Sequence, residues 1–368
     1  MERVKLVDIC RPKQWKTIST SEFSESGYPI YGANGKIGFY HEYTHEFPTV
    51  LITCRGATCG TINISEPKSY VNGNAMALDK LNENYSLKYL YYILQARGLS
   101  DVISGSAQPQ ITREGLLKVL IPNPPLETQK HIAQILDDAS ALRDKTRQLI
   151  KEYDALAQSI FLDMFGDPVR NEKGWEKVSL INLCKKVQIG PFGSQLHQAD
   201  YKDFGIPLIN PTNIKNGKVD YSKIAFISEE KYMSLPNYHL QVGDVLMARR
   251  GDLSKIGLVI DEKCFCGTGS LFLRPNQKLN PIYAISVLAH KSSIDKLYEK
   301  AQGITMANLN KSIISSLEVT VPPIDLQNKF AEKIALIEQQ KELAKQELKE
   351  SEDLFNCLLQ KAFKGELT

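Results

Sequence analysis

The sequence predicts an α+β protein built as an internal pseudo-twofold repeat: two mixed α/β globules, each followed by a long unbroken helix. Three observations carry this. The stretch "IPNPPLETQKHIAQIL" (Ile121–Leu136) returns as "VTVPPIDLQNKFAEKI" (Val319–Ile334), with Pro124 and Pro322, and likewise Gln129 and Gln327, 198 positions apart. After each double proline, apolar residues step by threes and fours with no Gly or Pro for roughly 35 residues, the signature of a packed helix. The 368 residues exceed what one core normally serves.

The elements follow in order. Residues 1–128 are rich in Gly, Tyr, Thr and short apolar runs. "PTVLITCRG" (Pro48–Gly56) and "YVNGNAMAL" (Tyr70–Leu78) predict strands bounded by turns, and "YSLKYLYYILQ" (Tyr85–Gln95) predicts a helix. Residues 129–165 place Ile132, Ile135, Ala139, Leu142, Thr146, Leu149, Tyr153, Leu156 and Ile160 on one seam, and Gly166 followed by Asp167-Pro168 marks its stop. Residues 166–325 return to mixed composition. "GDVLMARRG" (Gly243–Gly251) repeats the first globule's strand ending at Arg-Gly, and "GIPLINPTNIKNGK" (Gly205–Lys218) parallels "GYPIYGANGKIG" (Gly27–Gly38). Residues 326–368 carry a second seam: Phe330, Ile334, Ile337, Lys341, Ala344, Leu348, Ser351, Phe355, Leu358 and Ala362. Proline fixes φ and lacks an N–H, so each Pro-Pro ends a strand and stiffens the entry to the helix. A 198-residue period is a duplicated unit, since solenoid repeats are about 20–50 residues long.

Composition excludes several classes. Met1-Glu2-Arg3-Val4-Lys5 predicts no secretory leader. No apolar run approaches the roughly 18 residues of a membrane span. The seven cysteines form no Cys-x-x-Cys pair, which predicts reduced thiols in a cytoplasm rather than zinc or redox chemistry. Net charge is +3, split as +1, −1, +4 and −1 over the four blocks, too little by itself to mark a nucleic-acid binder.

Three motifs tempt. "HEYTH" (His41–His45) is a literal His-Glu-x-x-His, but a zinc hydrolase needs His41, Glu42 and His45 on a helix, and Tyr43-Thr44 beside Phe47-Pro48 predict a turn or strand. "NPPL" (Asn123–Leu126) resembles the Asn-Pro-Pro-aromatic motif of amino-methyltransferases, with Leu126 in place of the aromatic and no glycine-rich cofactor loop. "GPFGS" (Gly190–Ser194) lacks the Gly-Lys-Ser/Thr of a phosphate loop and reads as a recognition loop or a tight turn. "GSAQPQITREG" (Gly105–Gly115) and "GITMANLNKSI" (Gly303–Ile313) hold equivalent places in the repeat, and their amide and basic side chains suit base edges and phosphates.

"FLDMFGDPVRNEKGWEKVSL" (Phe161–Leu180), the two Pro-Pro-x-x-x-Gln copies and the terminal "LLQKAFKGELT" (Leu358–Thr368) resemble the specificity subunit of type I restriction-modification systems, over essentially the whole chain. The resemblance implies two target-recognition domains (1–128 and 166–325) held apart by two antiparallel coiled-coil helices (129–165 and 326–368). Each domain is expected to read half of a bipartite double-stranded DNA target. The helices are expected to set the unread gap and dock two modification subunits, which carry S-adenosylmethionine. A restriction subunit, a motor-nuclease using ATP and Mg, completes the implied complex, and this chain itself is expected to hold no cofactor, metal or catalytic residue. The DNA-contact candidates are Asn34, Lys36, Arg55, Gln108, Gln110 and Arg113 in the first domain. Ser194, Asn213, Arg249, Arg250, Lys255, Asn308 and Asn310 are their counterparts in the second. The helix seam is expected at Ile132, Ile135, Leu142, Leu149, Leu156 and Ile160 against Phe330, Ile334, Ile337, Leu348, Phe355 and Leu358. Two alternatives make different predictions: a coiled-coil scaffold without a DNA role, and the zinc hydrolase.

Overall fold

The computed structural model describes residues 2–33, 35–105, 107–301 and 308–367. The chain divides into two compact units. The first is Met1–Leu149 with Ala344–Thr368, the second Ile150–Leu343.

In the first unit four antiparallel strands lie in the order Arg11–Gln14, Ala75–Asp79, Val50–Thr53, Ile62–Ile64. The Tyr70–Leu78 stretch is thus two strands, broken by a turn at Asn72–Asn74 that frees Tyr70–Val71 to join another sheet. That sheet runs Gly35–Tyr40, Tyr28–Gly32, Tyr70–Val71, its last pair parallel. The second unit repeats the plan. Cys184–Ile189, Ser270–Pro275, Val245–Ala248 and Ile256–Leu258 reproduce the four-stranded order, with two short strands added at the edge. Ala225–Ile227, Ile206–Ile209 and Cys264–Cys266 reproduce the antiparallel–parallel triple, flanked by Tyr201–Lys202 and His239–Leu240. The duplication therefore extends to strand pairing.

Each long helix starts directly after its double proline, Leu126–Phe165 and Ile324–Lys364. The first stops at Gly166, whose φ of +74° suits glycine and whose N–H reaches Leu162 O at 2.8 Å. The repeated glutamine fastens each helix to its globule. Gln129 is buried; its Oε1 accepts the Ser86 N–H at 2.9 Å, while its Nε2 donates to Asn84 O at 3.2 Å and Pro124 O at 2.9 Å. Gln327 does the same with Asn280 N at 2.8 Å, Lys278 O at 3.1 Å and Pro322 O at 2.8 Å. Ser86 and Asn280 are the N-caps of the globule helices Leu87–Arg97 and Pro281–Ala289, so one amide joins two helix starts in each unit.

The cores are continuous with the helices. In the first unit Tyr89, Leu90 and Ile93 pack on Val50, Ile52 and Met76, and on Ile132, Leu136, Phe355 and Leu359 of the long helices. In the second, Phe161 and Phe165 meet Tyr283 and Phe330, with Phe165 and Tyr283 ring centres 4.7 Å apart. Burying each such ring contributes about 1.5–3 kcal/mol. Within each unit the two helices run antiparallel. Arg143 lies over Phe355 and Arg147 bonds Glu352 in the first, while Asp154 pairs with Lys341 and Phe161 meets Phe330 in the second.

The second helix buries or half-buries its whole expected seam, Phe330, Ile334, Ile337, Leu348, Phe355 and Leu358 included. The polar seam residues are satisfied: Lys341 pairs with Asp154, Ser351 donates to Glu347 O, and Thr146 donates to Leu142 O. The first helix requires a correction. Leu142, Leu149 and Leu156 are 44%, 37% and 46% exposed, and Ile135 is only half-buried. The packed stripe instead takes Ile132, Leu136, Ala139, Arg143, Thr146, Ile150, Tyr153, Ala157 and Phe161, with Ile160 half-buried at its margin. The two stripes share every seventh residue. They differ in whether the intermediate step is three or four, and facing side chains decide that choice. No helix among the described residues is long and apolar enough to cross a membrane.

Candidate nucleic-acid interface

In each unit the central strand runs out into an arginine-glycine tip. Val50–Thr53 continues through Cys54 to Arg55-Gly56, and Val245–Ala248 through Arg249 to Arg250-Gly251. Gly56 and Gly251 have φ of +93° and +72°. That backbone conformation costs glycine little and other residues more.

A second loop is laid across each tip in the same way. Ile111 N–H bonds Cys54 O at 3.0 Å, and Arg55 bridges to Gln110. Leu309 N–H bonds Arg249 O at 2.8 Å, and Arg250 bridges to Asn308. Each tip thus pairs an exposed arginine with an amide-bearing residue of the returning loop. Two positions beyond each bridge partner the role is also shared: Thr112 caps the short helix Arg113–Leu116, and Asn310 caps Lys311–Ser315 through its Oδ1, 2.8 Å from Ile313 N.

The remaining candidates fall as follows. In the first unit Thr53 Oγ1 donates to Ala33 O at 2.6 Å, which brings the turn before Lys36 beside the Arg55 tip. Lys36 pairs with Glu66 at 3.3 Å and lies over the Phe39 ring. Gln108, Gln110 and Arg113 are exposed, and Asn34 lies outside the described residues. In the second unit Gly190 N–H bonds Ser270 O and Arg249 N–H bonds Gly269 O, so the loop carrying Phe192 and Ser194 shares the tip's end of the sheet. The Ser194 side chain lies outside what the structure describes. Ala248 N–H bonds Lys255 O, which puts Lys255 there too.

Three candidates are corrected. Asn213 is 5% exposed; its Oδ1 accepts Asn210 N–H at 3.1 Å and its Nδ2 donates to Asp220 and Lys223 carbonyls, so it builds a turn. Asn310 has its oxygen committed to the helix cap. Arg249 is 6% exposed rather than presented. Burial, with the adjacent Arg250, pulls its guanidinium below the usual arginine range. Its Nε and the Oδ1 of Asn308 are buried without a hydrogen-bond partner among the described residues. A donor and an acceptor left unpaired cost about 1–3 kcal/mol each, and both sit at the tip. Phe192, a large apolar side chain of the Gly190–Ser194 loop, is left exposed on this end and is not among the candidates named from the sequence.

The tempting motifs resolve structurally. His41–His45 is turn and extended chain between strands, not helix. The His45 ring meets Thr44 Oγ1 at 2.8 Å through Nδ1 and Asp79 Oδ1 at 2.9 Å through Nε2. Neither nitrogen is therefore open to a metal. No group of three or more His, Cys, Asp or Glu able to hold a metal occurs among the described residues. Asn123 Oδ1 accepts the Tyr85 hydroxyl at 2.6 Å.

Known proteins resemble this chain over most of its length. The family model described as "Type I restriction modification DNA specificity domain" matches residues 1–152 and 172–352. A Methanocaldococcus jannaschii protein, the type I restriction enzyme MjaVIII specificity subunit, is 21% identical over 82% of this chain and 75% of its own length. The EcoBI specificity subunit of Escherichia coli is 22% identical over 87% and 73%. Among solved structures, the type I restriction-modification S subunit from M. genitalium superposes with a TM-score of 0.62 at 17% identity, over 98% of this chain and 96% of that one. With two family matches on two copies of one strand-tip design, the chain belongs to the type I restriction-modification DNA specificity family.

Proposed function

We infer that this chain is the DNA sequence-specificity subunit of a type I restriction-modification complex and that each unit's tip reads one half of a bipartite duplex target. The observation that carries the reading is the duplicated pairing of Arg55 with Gln110 and of Arg250 with Asn308. Arginine suits guanine O6/N7 and an amide suits adenine N6/N7, so the first tip offers both kinds of direct-readout group, Arg55 and Gln110, and the second offers Arg250. The long helices set the unread gap. Their exposed leucines, foremost Leu142, Leu149 and Leu156, dock the modification subunits. Methyl transfer and S-adenosylmethionine belong to those partners, and ATP and Mg to the restriction subunit; this chain supplies no catalytic group. The complex works in the cytoplasm, on the cell's own DNA.

The test is a methylation map of cells carrying the intact chain, Arg55→Ala or Arg250→Ala. The intact chain should give one two-part methylated motif with a fixed gap. Each variant should relax only its own half, by the roughly 10–100-fold that about 1–3 kcal/mol of base discrimination represents. Relaxation of both halves by either variant would refute the modular reading. A map unaffected by deleting the chain, in cells with the partners expressed, would favour the scaffold.

A further inference from the structure

The first unit holds a cavity of about 600 Å³ at the end of its four-stranded sheet opposite the Arg55 tip. Thr49 precedes the strand that ends at Thr53, and Asp79 ends the neighbouring antiparallel strand; both line the cavity, which fixes its place. The repeat explains why space is left there. The connection into the central strand is nine residues in the first unit, 41–49, and seventeen in the second, 228–244. In the second unit the longer connection covers this end of the sheet. Lys186 donates to Asn237 O, and Arg274 bonds both oxygens of the buried Asp244 and the His239 carbonyl. By strand register, with Thr53 and Ala248 as equivalents, Arg274 and Asp244 stand where the first unit has Asp79 and Thr49; Lys186 stands where it has Arg11. In the first unit these positions open onto the cavity instead. The shorter connection is the His-Glu-x-x-His stretch and its continuation, and it forms a wall rather than a metal site.

The lining has a definite chemistry. The floor is a closed network: Asp79 accepts Trp15 Nε1–H at 3.2 Å and faces His45 Nε2 at 2.9 Å, so both its oxygens have partners. Trp15 and His45 meet edge to face, with ring centres 5.1 Å apart. The Lys13 ammonium lies 3.4 Å from the Trp15 ring centre. Phe47, 73% exposed, stands at the mouth. Arg11 and Lys80 complete the rim, so three cations stand against two carboxylates, Glu46 and the hydrogen-bonded Asp79. Lys80 is held at φ +53°. That conformation is uncommon for a residue bearing a side chain. Aromatic walls with a cationic rim select a flat aromatic group bearing negative charge.

We propose that this cavity binds a nucleotide, its base against Phe47 and beside the Lys13–Trp15 pair, and its phosphate toward Arg11, Lys13 and Lys80. Two sources share that chemistry, a free nucleotide and a nucleotide unit of an unpaired DNA strand. The site is separate from the reading tip and stands whether or not half-site reading holds.

The experiment uses the full chain with Trp175→Phe, which leaves Trp15 as its single tryptophan. Its fluorescence is followed on titration with nucleoside monophosphates, with a short single-stranded DNA, and with inorganic phosphate and adenosine separately. The expected result is a saturable change tighter than about 1 mM for the monophosphates, with phosphate and adenosine each weaker. Competition by the single strand assigns the site to nucleic acid, and its failure to compete assigns it to the free nucleotide. Arg11→Ala and Lys80→Gly should each weaken binding about tenfold, one charge contact's worth. Lys80→Gly also relieves the left-handed backbone, so its loss of binding is not loss of fold. No saturable change, or affinities unmoved by both variants, overturns the proposal.

Discussion

Replacing Gln327 probes the joint between globule and helix most directly. Its side chain is fully buried and makes three hydrogen bonds, accepting one from Asn280 N–H and donating one each to Lys278 O and Pro322 O. Gln327→Leu keeps the approximate volume and orphans all three backbone groups. An unpaired buried group costs about 1–3 kcal/mol; counting the N–H in full and the carbonyls, which keep a second lone pair, in part gives about 3 kcal/mol. The second unit spans Ile150–Leu343. For a domain of this size each kcal/mol moves Tm by about 2–4 °C, so its transition should fall by about 6–12 °C. Gln327→Glu sharpens the test. It keeps the acceptor but turns a carboxylate toward two carbonyl oxygens, and burial raises its pKa above the ordinary value of about 4.3. The folded state then holds the proton more tightly than the unfolded state. Its stability deficit therefore grows as pH rises through the folded-state pKa and shrinks on acidification toward about 4.3. Differential scanning calorimetry of both variants across pH reads this directly. Leucine and glutamate variants each within about 0.5 kcal/mol of the parent, or a glutamate deficit independent of pH, would show that the amide is not the fastener.

Three further outcomes are expected. Asn213→Ala should lower the stability of the second unit by about 1–3 kcal/mol, seen in denaturant unfolding, while the methylated motif stays the same; a changed motif would return Asn213 to the reading surface. Leu149→Glu should leave melting within about 0.5 kcal/mol of the parent yet weaken co-purification of the modification subunit, whereas a large loss of stability would mean the leucine is packed after all. A thiol reagent followed by mass spectrometry should label exposed Cys357 first and half-buried Cys59 more slowly. Cys10, Cys54, Cys184, Cys264 and Cys266 should lag, since all are buried and burial pushes Cys10 and Cys184 up to about 12; rapid labelling of these five would contradict their burial.

The duplication was legible because its markers are local. A proline pair, a glutamine five residues on and an arginine-glycine step can each be matched by eye, and strand pairing follows the match. The second helix's seam was legible too, since Phe330, Ile337 and Phe355 outweigh its polar members. The first helix misleads because leucine at 142, 149 and 156 looks like core, while the true stripe admits Arg143 and Thr146. Arg143 lays its guanidinium over the Phe355 ring and Thr146 bonds its own helix, so both tolerate packing that hydropathy disfavours. The site divides the same way. Arg55 and Arg250 announce themselves by repetition, whereas the fate of Asn213 depends on carbonyls at Asp220 and Lys223 that only the folded turn delivers. The cavity was invisible as such: it arises from eight missing residues relative to the other copy, and an absence has no motif.

The division of the chain also makes the first unit depend on a segment made after the second. The second unit is one continuous segment, while the first needs Ala344–Thr368 to complete its core around Phe355, Leu359 and Ala362. During synthesis the later unit can therefore close while the earlier one still waits for its last helix. A ribosome that stops after Leu343 releases a chain whose second half is finished and whose first half displays an open apolar trough. Such a truncated product leaves that trough open, and exposed apolar surface favours aggregation.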